Sequence, residues 1–322
     1  TVYNNLGNVF NELGRYEEAI TNFNKAIELK PEYDEAYNNL VISLRSFEAT
    51  NFSDYIATSY LSILNHGTVV KPEDVVTSII VLLNHHDVVK EAINRCKKNI
   101  LESSAPDFCI LLSEIPLFLK IMDICPIPNM EIEEVLTQLR KILLLKEHKF
   151  SISHNLLRFQ SSLALQCFTN EFVYKETKEE TIAIKSLEAT LQYSFANGEN
   201  LSPYHIACLA SYRSLSDYPW ILDIDPPPTL ELLFKRQIVE VSQEIALKKC
   251  IPRLSAIKNE VSLAVQEQYE ENPYPRWVYT KLEIKPITLT NFIVNKKLPI
   301  SKDLDLLSQS PQILIAGCGT GQ

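Results

Sequence analysis

The chain lacks the marks of several large functional classes. It has no basic excess: 31 Lys and Arg stand against 40 Asp and Glu, a net charge of −9, with a pI near 5.3. A broad nucleic-acid footprint wants a basic face, so no nucleic-acid partner is expected. It has no C-x-x-C pair. Its seven cysteines (Cys96, Cys109, Cys125, Cys167, Cys208, Cys250 and Cys318) are odd in number, and most lie in apolar runs. That usage reads as buried, reduced thiols of a cytoplasmic protein rather than a disulfide framework or zinc site. The six histidines show no H-E-x-x-H or other ligand spacing, and no metal is expected. No run is long and apolar enough to span a membrane, since the most apolar stretch, 110–127, is broken by Glu114, Pro116, Lys120, Asp123 and Pro126. Glycine is scarce: there are seven, and three of them fall within five residues near the C-terminal end. There is no initiating Met; the chain opens inside a repeat and stops inside a motif, so a fragment at both ends is expected.

What is present is ordinary globular material, 46% hydrophobic and 22% charged, with room for two or three domains. The first 46 residues repeat. Tyr3-Asn4-Asn5-Leu6 recurs as Tyr37-Asn38-Asn39-Leu40, 34 residues later. Leu6, Gly7, Phe10, Tyr16, Ala19, Phe23, Ala26 and Pro31 stand at alternating small and large packing positions. Period and positions resemble the tetratricopeptide repeat, a hairpin of two helices. The resemblance implies helices over 2–13 and 16–29, with Gly7 and Ala19 facing each other, Phe10 and Phe23 filling the groove, and Pro31 ending the second helix. The second copy carries Val41 where Gly is expected and loses the pattern by Asn51, so it supplies at most a first helix. Asn4, Asn5, Asn38 and Asn39 read either as solvated helix surface or as a concave face that grips the backbone of a protein or peptide partner.

From residue 52 to 250 the sequence reads as helix after helix. Apolar residues recur at i, i+3, i+4 spacing over 73–84, 88–101, 130–146, 156–172 and 180–195. Pro72, Ser153 and Ser202-Pro203 are start signals, and Asn197-Gly198 is a stop. Glu171, Glu176, Glu179 and Glu180 form an acidic patch that reads as a solvated helix boundary. Tyr218-Pro219-Trp220 reads as a packing anchor. No stretch alternates as strands do.

A last helix, from about Ala256 to Tyr269, leads into Asn272-Pro273-Tyr274-Pro275-Arg276-Trp277. Two prolines in three residues stiffen the backbone. Stiff presentation of Tyr274, Arg276 and Trp277 suits a substrate clamp or lid; an inter-domain hinge packed on the core is the alternative. A linker rich in proline then runs to Ile313-Leu-Ile-Ala316, a short apolar run long enough for a buried parallel strand, followed by Gly317-Cys318-Gly319-Thr320-Gly321. Alternate glycines let a backbone approach a ligand closely. No Lys follows Gly321, which excludes a phosphate-binding P-loop, and the third glycine comes one residue early for a dinucleotide fingerprint.

This strand and loop resemble motif I of the class I S-adenosylmethionine-dependent methyltransferases. Together with the tetratricopeptide residues and the Asn-Pro-Tyr-Pro-Arg-Trp stretch, they resemble bacterial proteins that fuse a tetratricopeptide array and a helical region to such a methyltransferase. The resemblance implies S-adenosylmethionine as cofactor, with Ala316, Gly317, Cys318, Gly319, Thr320 and Gly321 bending under its amino-acid end and ribose. Many family members carry Asp two residues before the first glycine; here that position is Ile315. The acidic residue that grips the ribose would fall about 20 residues further on. The expected fold is therefore all-α: a tetratricopeptide region over 1–50, a helical domain over 51–250, and a helix and linker over 251–311. Residues 312–322 begin a truncated Rossmann-like domain. The expected function is a methyltransferase with protein-interaction repeats, inactive as this fragment. The rival reading is a non-catalytic adaptor, and a weaker one is a nicotinamide or flavin enzyme using the same loop.

Overall fold

Two antiparallel helices per repeat follow from a 34-residue period, and a computed structural model shows them. It describes residues 1–147, 151–250 and 259–271, with Val278, Thr288, Asn291 and Ile293. Helices α1 (Val2–Glu12) and α2 (Tyr16–Leu29) form the first hairpin. Gly14 in the turn takes φ +73°, a left-handed conformation that glycine adopts without a Cβ penalty. The α2 face of Ala19, Ile20, Phe23, Ala26 and Ile27 is buried at helical spacing. Gly7 lies against Phe23: a Cβ there would sit 2.6 Å from the ring. Close approach of the two helices therefore depends on that missing side chain. Pro31 follows directly on the α2 cap, and α3 (Asp34–Ser46) then packs on α2 and α1.

A further helix follows the second copy. Although the residue pattern is gone by Asn51, α4 (Asp54–His66) follows α3 after a longer loop. Ser53 caps it by accepting from the Ile56 N–H, and Gly67 closes it at φ +78°. Asn24 of α2 donates to Ser59 Oγ (2.7 Å) and Tyr55 Oη (3.1 Å) of α4. Tyr60 of α4 donates to the Leu44 carbonyl at 2.8 Å, satisfying one of the orphan acceptors at the end of α3. Burial pushes that phenol up to about 12.

The array continues through α5 (Val76–Leu83), α6 (Asp87–Lys97), α7 (Ala105–Ser113), α8 (Pro116–Ile124), α9 (Met130–Leu145) and α10 (His154–Thr169). It goes on through α11 (Lys178–Ala196), α12 (Pro203–Ala210), α13 (Glu231–Phe234), α14 (Glu240–Cys250) and α15 (Glu260–Glu271). The 110–127 stretch folds as two helices because Pro116 starts a new one. Ser153 and Ser202 cap α10 and α12, and α11 stops at Ala196, before Gly198 at φ +68°. Helix α10 is buried on almost every side, packed by α7, α8 and α12. Between α13 and α14 a π turn (Lys235–Val239) carries the fully buried Gln237. Its amide donates to the Ala210 carbonyl (3.0 Å), and its oxygen accepts from Leu215 N (3.0 Å).

One apolar core runs from Ala19 to Cys208, and a second joins α10, α11, α12 and α13. Trp220 packs on the second, with Phe195 and Tyr218 rings 5.8 and 5.9 Å away. The acidic patch is not a uniformly solvated boundary. Glu180 is 1% exposed and completes a capping box with Thr177, and Glu176 pairs with Arg213 at 2.8 Å. Cys96, Cys109, Cys125, Cys167 and Cys208 are buried free thiols, and Cys250 is exposed. Among the described residues there is no strand, and no helix is long and apolar enough to cross a membrane. The expected strand 313–316 lies outside the described residues.

Gly7→Ala tests the hairpin. Helix propensity alone would stabilise by about 1 kcal/mol, but the fully buried Phe23 ring must shift to admit the methyl group, and overpacking costs about 1–3 kcal/mol. A net loss of stability in urea unfolding is expected; a gain would show that the close approach at Gly7 is not a constraint.

Candidate protein-interaction site

Adjacent helix residues point about 100° apart, so two neighbouring asparagines cannot share one face. The structure separates each pair. Asn5 and Asn38 are exposed, Asn39 is half-buried, and Asn4 is fully buried. The expectation that Asn4 is a surface residue is corrected: with Gly7 and Asn11 it lies on the face of α1 that meets α3. Asn4 Nδ2 donates to Glu35 Oε1 at 3.1 Å, and its Oδ1 accepts from Asn39 Nδ2 at 3.0 Å. A turn further along, Ser43 donates to Asn11 Oδ1 at 3.0 Å. These bonds form a polar seam between successive first helices.

Glu35, Asn11 and Ser43 are not singled out by sequence reading, yet the period carries a signal for them. Glu35 and Asn39 lie 31 and 35 residues after Asn4, and Ser43 lies 32 after Asn11. These separations fall within one helical turn of the 34-residue repeat, where facing positions of stacked helices must occur.

Asn38 is the 34-residue counterpart of Asn4, and its surroundings are open. No side chain among the described residues bonds it. On the same stripe of α3, at i+4 and i+7, stand Ile42, 52% exposed, and the exposed Arg45. The arrangement offers an amide with free donor and acceptor, an apolar patch and a cation along one helix face. Such a face can hold an extended chain but has no group placed for covalent chemistry. Among the described residues no cluster of His, Cys, Asp and Glu could hold a metal ion.

The clamp candidates Tyr274, Arg276 and Trp277 lie outside the described residues, as do Ala316, Gly317, Cys318, Gly319, Thr320 and Gly321 of the cofactor loop.

The fold is a helical array that opens on a repeat-type hairpin. Residues 2–40 match the family model described as TPR repeat, so α1, α2 and the first half of α3 are a tetratricopeptide repeat and its continuation. Such repeats commonly bind other proteins. No curated protein and no solved structure matches the chain.

Alanine at Asn4 leaves the Glu35 and Asn39 groups short of a buried partner, and a loss of about 1–3 kcal/mol is expected. Alanine at Asn38 is expected to stay within about 0.5 kcal/mol of the parent. Equal effects in chemical unfolding would contradict the assignment of one as seam and the other as open surface.

Proposed function

We propose that the chain binds an extended protein segment along α3 and that it belongs to an S-adenosylmethionine-dependent methyltransferase whose cofactor loop is Gly317–Gly321. The observation that carries the first part is the contrast between Asn4 and Asn38. In the first repeat the asparagine is satisfied by a carboxylate and an amide from the next helix. One period later the same side chain is exposed, beside Ile42 and Arg45. A partner that supplies what Glu35 and Asn39 supply to Asn4 would present an acceptor and a donor, as a peptide backbone or an acidic side chain does, with an apolar residue over Ile42. Acidic character in the partner would also suit Arg45.

The second part rests on sequence. An apolar strand followed by three alternate glycines resembles motif I, and Tyr274, Arg276 and Trp277 are the residues offered to the methyl acceptor. When bound, the cofactor supplies a methyl group for direct displacement, a reaction that needs mainly positioning. The protein's share would be backbone approach at Gly317, Gly319 and Gly321, and orientation of the acceptor by the stiff aromatic stretch. Repeats that capture a protein, joined to such an enzyme, would deliver that protein or its complex to the methyl donor. Buried reduced thiols support a cytoplasmic setting.

Peptides selected from a random library on the intact protein are expected to weaken by about tenfold or more on Asn38→Ala or Ile42→Asp. Selection that yields no binders, or binders indifferent to both changes, would remove the interaction reading. For the enzyme, Gly319→Val in the full-length protein is expected to abolish S-adenosylmethionine binding in calorimetry, with the thermal unfolding of the helical region unmoved. Unchanged affinity would remove the methyltransferase.

A further inference from the structure

The start of α6 is held by a side chain that titrates near neutrality. His86 immediately precedes the helix, and its Nδ1 accepts from the Val88 N–H at 3.3 Å. That bond satisfies one of the amide groups that a helix leaves unpaired at its N-terminus. Ser53, Asn129, Ser153, Thr177 and Ser202 do the same for α4, α9, α10, α11 and α12. Hydroxyl and amide caps keep their acceptor at any pH near neutrality, whereas an imidazole loses it on protonation.

Nδ1 accepts only through its lone pair, so the cap requires the neutral ring with its proton on Nε2. A second proton turns Nδ1 into a donor facing the Val88 N–H, and the bond is lost. It also sets a positive charge at a helix N-terminus, where the macrodipole is already positive. The surroundings act in the same direction. The ring is half-buried and meets the Phe52 ring in a T-shaped contact, centroids 4.5 Å apart at 84°. Phe52 lies in the connection between α3 and α4 and packs on the first core. The charged groups that face the imidazole are Asp87 and Lys90 of α6 and Asp54 of α4, and His85 adjoins it in the chain. Burial outweighs the two carboxylates and holds the ring below its ordinary pKa. The unfolded segment therefore binds the proton more readily than the folded one. The contribution of the cap is complete above about pH 6.5 and is lost as the pH falls below it.

We propose that His86 is a pH-sensitive latch on α6. As the neutral imidazole it caps the helix and seats the first turn against Phe52; on gaining a second proton it releases that turn. The latch depends on neither the Asn38 face nor the glycine loop.

The test is amide exchange of Val88 and Lys90, which bond to the His86 ring and carbonyl, read by NMR on the intact chain at pH 7.5 and pH 5.5 and corrected for the intrinsic rate. Ordinary carboxylates stay ionised throughout that window. The opening equilibrium of the parent is expected to rise about three- to tenfold at pH 5.5. His86→Asn supplies a cap that does not titrate, and its opening is expected to be the same at both pH values. In the parent at pH 7.5 the neutral ring is expected to carry its proton on Nε2, as its nitrogen shifts report. Equal opening of the parent at the two pH values would overturn the proposal. So would the same pH response in His86→Asn, which would assign it to another group, or a neutral ring protonated on Nδ1.

Discussion

A single guanidinium sits where the two halves of the core meet. Arg140 of α9 is 1% exposed. Its Nη2 donates to the carbonyls of Lys175 (2.8 Å) and Tyr174 (3.3 Å), and Glu180 lies 3.7 Å away, equally buried. Its Cζ lies 4.1 Å from the centroid of the Tyr212 ring and 5.8 Å from that of Tyr174. Tyr174 belongs to the first core and Tyr212 to the second. Glu180 is held in turn by Tyr212 Oη (2.7 Å), by Thr177 Oγ1 (2.7 Å) and by Thr177 N (2.8 Å). A buried ion pair is tolerable only when further hydrogen bonds serve both partners; here carbonyls hold one Nη of Arg140 and hydroxyls hold Glu180, while Arg140 Nε is buried without a hydrogen-bond partner.

Reaching that arrangement shapes the backbone. Glu171 and Phe172 take φ of 58° and 54°, left-handed values that cost a non-glycine residue about 1–2 kcal/mol each. They turn the chain back at the end of α10, where Phe172 N donates to the Cys167 carbonyl at 2.7 Å. That reversal brings the carbonyls of 174 and 175 onto Arg140. Further ties join the halves. Leu157 and Leu187 pack on both cores, and Tyr204 of α12 donates to the Leu143 carbonyl in the last turn of α9, as Tyr60 does for α3. The tetratricopeptide hairpin, which cannot bury its own face alone, is thereby backed by helices far along the chain.

Local chemistry made much of this legible. Serine caps, helical periodicity and the 34-residue period place α1, α2, α9, α10 and α11 to within a few residues, and Ser202-Pro203 marks the start of α12. Helix α4 is not legible from the period, because the repeat pattern is gone by Asn51. The split of the asparagine pairs is legible only once helical rotation is applied to neighbours. Arg140 leaves a fainter trace: it stands four residues after Leu136, inside the apolar stripe of α9, where a charge must find partners. Its partner Glu180 is marked by the Thr177-x-x-Glu180 capping pattern, but nothing in the sequence joins the two.

The central claim is that the repeats and the helices behind them are one cooperative body pinned at Arg140. Pulsed hydrogen exchange with mass spectrometry through a urea transition reads both ends at once. The account predicts that segments from α1–α3 and from α9–α12 lose protection at one common midpoint. It also predicts that Arg140→Met, which leaves Glu180 buried without its cation, lowers that midpoint for both by the equivalent of about 3–5 kcal/mol. Separate midpoints in the parent chain, or a drop confined to α9–α12 in the variant, would contradict it.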